Sequence, residues 1–240
     1  VTIESLRPPY HDNSRRGRGS LAETQGAVAR LRAARLDVVV QTTVTRGNRA
    51  ELADLAEWAA EAGAVAFSDA QLPIRNSELL RRALEYCLMF KKPILSHAEV
   101  EELSHSGVMH EGLVSLVLGL SGIPADAEDV MTGRDLRLAD STGGRIHLIN
   151  VSTAGSVDLI RRAKSRGIFV TAGICAANFV FVDEALRSFD SNYKVNPPLR
   201  PQEHLDACIA GLADGTIDVI CSGHAPRAAE KKMRELDQAP

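Results

Sequence analysis

Apolar residues along this chain gather in short β-branched runs, and stretches of helical period separate them. The runs at residues 36–43, 64–68, 93–97, 145–151, 168–172 and 217–221 are rich in Val and Ile and apolar at nearly successive positions. Such runs suit parallel strands buried on both faces. Helical spacing of apolar positions predicts helices over 22–34, 49–62, 77–90, 111–120, 156–166 and 202–212. Ser20 is the expected N-cap of the first, with Glu23 in capping-box spacing. Gly63 and Gly167 stand where helices should stop. Val1-Thr2-Ile3 reads as the tail of an earlier strand.

Strands alternating with helices predict a parallel sheet, closed as a barrel or open and doubly wound. No G-x-G-x-x-G or G-x-x-x-x-G-K-[ST] follows any strand, which counts against a nucleotide-binding open sheet. Asp69, His97, Asn150, Ser222 and His224 instead collect at or just past strand ends. In a barrel those ends converge on the face where active sites form. One barrel domain over 1–240 is expected, with 104–139 as a long, partly helical insertion near the mouth.

Composition narrows the function classes. The 240 residues are 45% hydrophobic and 25% charged, ordinary for a globular protein. A net charge of -3 gives no electrostatic case for nucleic acid or an anionic membrane. The basic run Arg15-Arg16-Gly17-Arg18 reads as a solvated loop. Cys87, Cys175, Cys208 and Cys221 follow no C-x-x-C pattern, so free thiols in a reducing cytoplasm are expected. No apolar stretch approaches the roughly 18 to 20 residues of a membrane span, and no signal peptide is visible. The opening without Met is expected of a piece of a longer protein.

Three segments carry candidate chemistry. Pro93-Ile94-Leu95-Ser96-His97-Ala98-Glu99 is a strand ending in an imidazole, either a metal ligand or a hydrogen-bonded structural histidine. Asn196-Pro197-Pro198-Leu199-Arg200 fixes an extended backbone, either presenting Asn196 and Arg200 to a ligand or making a structural corner. Cys221-Ser222-Gly223-His224-Ala225-Pro226-Arg227 ends the last strand. It shows no orienting acid and no nucleophile elbow, so a serine hydrolase is disfavoured. At the end of His147-Leu148-Ile149-Asn150, the amide of Asn150 is a poor zinc ligand beside imidazole or thiolate.

Together these motifs resemble the dihydroorotase family of amidohydrolases, of the long-chain type. The resemblance rests on Ala64-Val65-Ala66-Phe67-Ser68-Asp69, His97-Ala98-Glu99 and Met109-His110-Glu111-Gly112. It continues through His147 to Thr153, Val195 to Arg200, and His224-Ala225-Pro226. It covers nearly the whole chain and is weakest before about Gly17. Pro8-Pro9 and Asp12-Asn13 are similar to the segment after the family's second strand, which assigns Val1–Ile3 to that strand.

The resemblance implies a (β/α)8 TIM barrel, incomplete at both termini, with zinc at its carboxyl-terminal face. It also implies interconversion of carbamoyl-aspartate and dihydroorotate in pyrimidine biosynthesis. The family's first-strand His-x-His pair lies upstream of this sequence. His97 keeps a ligand position, whereas Ala70 and Asn150 stand at two others without a usual donor. Gly223 occupies the place of the catalytic aspartate. Asn196 is retained for substrate, and Arg227 replaces a histidine but could still pair with a carboxylate.

Two metals in one pocket bring four positive charges, which these residues cannot balance. The leading expectation is therefore a non-catalytic homologue without a cofactor, an oligomer that partners aspartate carbamoyltransferase. The alternative is an active cyclic amide hydrolase with a mononuclear or altered zinc site. A third is a metal-free binder of carbamoyl-aspartate-like ligands through Asn196, Arg200 and Arg227.

Overall fold

The computed structural model describes residues 1–43, 45–68 and 72–240. The chain divides into two compact units, Val1–Val65 and Ala66–Pro240.

The first unit holds α1 (Pro8–Arg15), α2 (Ser20–Ala33), a 3-10 turn at Arg49–Glu51 and α3 (Leu52–Glu61). Ile3, Leu21 and Leu55 form its small core, with Leu6, Val40 and Trp58 packed against them. The strand expected over 36–43 does not form. One parallel bridge, Thr2 to Gln41, is all that remains of it among the described residues. The backbone of Gln41 still receives the Ile3 amide at 2.9 Å and donates to the Val1 carbonyl, so the pairing direction is that of neighbouring barrel strands.

Capping of α2 also differs from the expected box. The N-cap is Gly19, and the Asp12 carboxylate accepts from the Gly19 and Leu21 amides and the Ser20 hydroxyl. These donors hold the Asp12 carboxyl below its ordinary range, led by the Gly19 amide. An aspartate eight residues upstream does what Ser20 and Glu23 were expected to do. Asp12 belongs to α1, a helix the periodicity did not predict, because Pro8-Pro9 opens it and few apolar positions mark it.

The second unit is built on five parallel strands in the order β1 (Phe67–Ser68), β2 (Ile94–His97), β5 (Ile146–Ile149), β6 (Val170–Cys175) and β7 (Val219–Cys221). The register pairs Ile94 with Ile146 and Ile146 with Val170, then Cys175 with Cys221. The helices α4 (Ser77–Cys87), α8 (Ala154–Ser165) and α9 (Gln202–Ala213) follow the predicted alternation, whereas α7 (Asp126–Thr142) forms where an insertion was expected. Leu80 and Leu84 of α4, Met131 and Leu136 of α7, and Val157 and Ile160 of α8 bury one sheet face. On the sheet they meet Ile94, Ile146, Leu148, Val170, Ala172 and Ile174.

The 104–139 stretch is more ordered than an insertion. It contains α5 (Glu101–Ser104) at its start, then β3 (Met109–His110), α6 (Leu113–Leu118) and β4 (Gly122–Ile123), with β3 and β4 parallel. Most of α7 also falls there, and α7 is a core helix of the sheet. Its polar residues explain why the period was weak. Asp135 is fully buried beneath the sheet, accepting from Ser96 Oγ at 2.6 Å and from the Arg134 guanidinium. Glu128 and Asp129 reach outward to the start of α8. A Cβ on Gly155 would lie 2.1 Å from Asp129 Oδ2, so the carboxylate sits where a side chain would otherwise stand. The 3-10 turns Ala176–Phe179, Asp183–Ser188 and Ser191–Tyr193 precede α9, and α10 (Ala229–Lys232) follows β7.

Candidate functional site

Because β1, β2, β5, β6 and β7 run parallel, their carboxyl ends share one edge of the sheet. That edge receives His97, Asn150, Cys175 and Cys221, and the chain then turns at Gly223. Asp69 and Ala70 lie outside the described residues. His97 is buried, and its Nε2 meets Glu99 Oε2 at 2.8 Å. Asn196 Nδ2 donates to the same carboxylate at 3.2 Å. The hydrogen bond from His97 is the main reason the Glu99 carboxyl falls to about 2, with Ser104 and Asn196 adding to it and burial opposing. The sequence-selected pair His97 and Asn196 is thus brought together, through Glu99.

A hollow beside them is lined by His97, Glu99, Glu128, Asn196 and Arg200. Its volume is about 10 Å³, at the lower limit for one water. Arg200 turns out to be the structural corner. Its Nε donates to Ser152 Oγ at 3.1 Å, and Nη1 donates to His110 Nδ1 at 3.0 Å and the Ile123 carbonyl at 3.1 Å. Nη2 stands 3.7 Å from Glu128 Oε2. Glu128 in turn accepts from the Ser152 and Thr153 amides and both hydroxyls. Arg200 is 3% exposed and has little left to offer a ligand. Burial and the Arg200 charge push the His110 imidazole down to about 4. Arg227 is exposed in the chain after β7 and does not line the hollow with Asn196.

At the other strand ends the sequence reading missed two participants. Cys221 Sγ donates to Asn150 Oδ1 at 3.0 Å and lies 3.4 Å from the Ile174 carbonyl. Cys175 Sγ lies 3.6 Å from the Ser222 carbonyl. Asn150 and Gly223 both hold left-handed backbone, with φ of 56° and 60°. A Cβ built on Gly223 would come within 2.3 Å of Cys175 Sγ. All four cysteines are free, with Cys87, Cys175 and Cys208 buried and Cys221 partly so. Burial raises the Cys221 thiol, which keeps it protonated and a donor. The available signal was position: Cys175 and Cys221 each end a strand run.

The described residues do not fit a zinc pair. His97 Nε2 is engaged by Glu99, Asn150 presents an amide already paired with a thiol, and position 223 offers no side chain. Among the described residues no three His, Cys, Asp or Glu side chains gather as a metal site. Nor, among them, is any helix long and apolar enough to cross a membrane.

A parallel sheet flanked by helices, with candidate functional residues at the carboxyl strand ends, fits part of a (β/α)8 barrel. The chain belongs to the dihydroorotase family. The family model for dihydro-orotase-like proteins matches residues 20–156, more than half of the chain. A dihydroorotase of Endomicrobium trichonymphae is 54% identical over 180 residues, 75% of this chain and 43% of that protein. A dihydroorotase of Pelotomaculum thermopropionicum is 53% identical over 198 residues, 82% of this chain and 46% of its own. The chain therefore spans less than half the length of these relatives. The dihydropyrimidinase of Brevibacillus agri superposes with a TM-score of 0.67 at 21% identity, over 85% of this chain and 48% of that one. The Saccharomyces cerevisiae dihydroorotase, solved with 5-fluoroorotic acid, gives 0.61 at 12% identity, over 82% and 56%. Both are likenesses of fold.

Proposed function

We propose that this chain belongs to a dihydroorotase-like protein of pyrimidine biosynthesis that has lost its hydrolase chemistry and serves as a structural partner of aspartate carbamoyltransferase. The observation that carries the loss of chemistry is the contact at position 223. Cys175 Sγ stands 2.3 Å from where a Cβ would begin, and the backbone there holds φ of 60°. An aspartate at this position would have to push the buried Cys175 sulfur aside, although Asp is one of the few residues with a Cβ that tolerate left-handed backbone. As folded, the site holds sulfur where that side chain would begin. Proton transfer by such a group is typically worth about a hundred- to ten-thousand-fold in rate. Asn150, paired with Cys221, removes a ligand in the same neighbourhood. The choice of partner rests on the family resemblance alone.

One observation favours a second reading, an active cyclic amide hydrolase with a mononuclear or altered zinc site. Buried His97 remains joined to a half-buried Glu99, and through it to an exposed Asn196, at the strand end, more than a vestigial site requires.

Metal analysis and dihydroorotate hydrolysis on the whole protein decide between the two. The structural reading expects no tightly held zinc, no hydrolysis above background, and co-purification with aspartate carbamoyltransferase. Stoichiometric zinc with hydrolysis that Asn196→Ala abolishes would establish the second reading instead.

A further inference from the structure

At the opposite edge of the sheet, the segments that lead into β2, β5 and β6 border a half-open hollow of about 320 Å³. That size falls within the range of about 300–1,000 Å³ typical of small-molecule sites. The residues just before the strands line it: Lys91 and Lys92 before β2, Arg145 before β5, and Phe169 before β6. The ladder sets Arg145 beside Phe169, since the Ile146 amide donates to the Phe169 carbonyl, and Lys92 lies one position earlier on the neighbouring strand, whose Ile94 amide donates to the Arg145 carbonyl. Cys87 and Leu88, at the end of α4, supply an apolar floor.

Two features separate this cavity from ordinary surface. Among the described residues no carboxylate pairs with Lys91, Lys92 or Arg145, and the Arg145 guanidinium lies over the Phe169 ring at 5.4 Å. Cations nearby are neutralised: Arg166 holds Asp140 at 2.7 Å, and Lys164 holds Asp218 at 2.7 Å. Phe169, meanwhile, is 61% exposed, a large apolar face left uncovered at the rim. The carboxyl ends of α4 and α7 lie close by in sequence and favour cations. Each helix end carries only about half a unit of negative charge, so three full positive charges are not balanced. These 240 residues together carry -3, so this is a local concentration within a chain that is not generally basic.

We infer that this cavity binds a phosphate monoester carrying a planar or apolar body, the class to which nucleoside monophosphates belong. A phosphate monoester carries a charge of about -1.5 to -2 at neutral pH and three acceptor oxygens. Arg145 matches it with a planar donor fork, and the two lysines add mobile ammonium groups. Phe169 and Leu88 receive the body of the ligand. The site uses none of the residues at the carboxyl strand ends, so it stands whether or not the chain takes part in hydrolysis.

Calorimetric titration of the whole protein tests this with adenosine 5′-monophosphate, ribose 5-phosphate, inorganic phosphate and adenosine as probes. The nucleotide should bind tightest, ribose 5-phosphate and phosphate more weakly, and adenosine without measurable affinity. Charge-assisted hydrogen bonds contribute about 1.5–3 kcal/mol, so Arg145→Gln and Lys92→Gln should each weaken nucleotide binding by about ten-fold or more. Phe169→Ser should weaken the nucleotide and leave inorganic phosphate unchanged. These side chains sit at the cavity rim outside the core, and circular dichroism checks that each variant folds. Absence of nucleotide binding at millimolar concentration would overturn the proposal, as would binding that Arg145→Gln leaves intact or adenosine binding as tightly as its phosphate.

Discussion

The network around Arg200 and the strand-end cluster around Gly223 are both polar and both serve the carboxyl side of the sheet, yet they are built differently. Around Arg200, a guanidinium, a carboxylate, an imidazole, two hydroxyls and two amides pair with one another at the junction of α7, α8 and β4. At the strand ends, a thiol donates to an amide, another thiol leans on a carbonyl, and a glycine leaves room for sulfur. Buried charge persists in proteins where it is fully paired. The first region keeps its ions because they tie elements together. The second holds small neutral groups, which need little compensation.

The sharpest way to break this comparison is to remove the ion that the first region depends on. Arg200→Met should destabilise the protein by about 3–5 kcal/mol, because Glu128 is left buried without its cation. Pairing it with Glu128→Gln should recover part of that loss. Urea denaturation measures both. A loss under about 1 kcal/mol for the single variant would show that the network is solvated and the contrast false.

Acid should act next, through His110. Its imidazole titrates near 4 in the folded protein and near 6.5 when free of the fold, since burial and Arg200 oppose a second positive charge. The unfolded chain therefore binds the proton more readily between these values. Stability from this group is fully present above about pH 6.5, falls as pH drops toward 4, and levels off below. Burial lowers His204 in the same direction. Glu99 and Asp214, both near 2, lose their contributions only in stronger acid. Denaturation midpoints across pH 4–7 should slope downward toward acid, and His110→Asn should flatten that slope. An unchanged slope in the variant would assign the effect to other groups.

These contrasts also show what the sequence could reveal. The alternation of β-branched runs with helical stretches located β2, β5 and β6, because buried parallel strands must be apolar on both faces, and it also located β7, whose Val219 and Ile220 are exposed here. It missed α7 as a core helix, since Glu128, Asp129 and Asp135 on its inward side are satisfied by partners distant in sequence. It placed His97 and Asn196 in one site, though the Glu99 carboxylate that joins them shows only in three dimensions. Arg200 could be read as ligand or corner from sequence, and only its bonds decide. The strand over 36–43 failed for a related reason: apolar composition supplies propensity, but pairing must come from neighbours, and one bridge to Thr2 is what this unit shows.

The smallest effect sharpens the comparison from the other side. Gly223→Ala should cost about 1–3 kcal/mol, combining left-handed backbone with crowding against Cys175 Sγ. Cys175→Ala removes the sulfur and keeps the Cβ, which lies 3.4 Å from the position of the new methyl, an ordinary contact. In that background Gly223→Ala should retain only the backbone cost. The two substitutions should thus couple by about 0.5–3 kcal/mol in a double-mutant cycle. Strict additivity would mean that the thiol moves aside freely and position 223 is not sterically closed. In that event a carboxylate could return to the site with little resistance, and the hydrolase reading would gain at the expense of the structural one. Coupling of the expected size would mean that Cys175 and Gly223 are one replacement spread over two strands, and that restoring chemistry requires changing both.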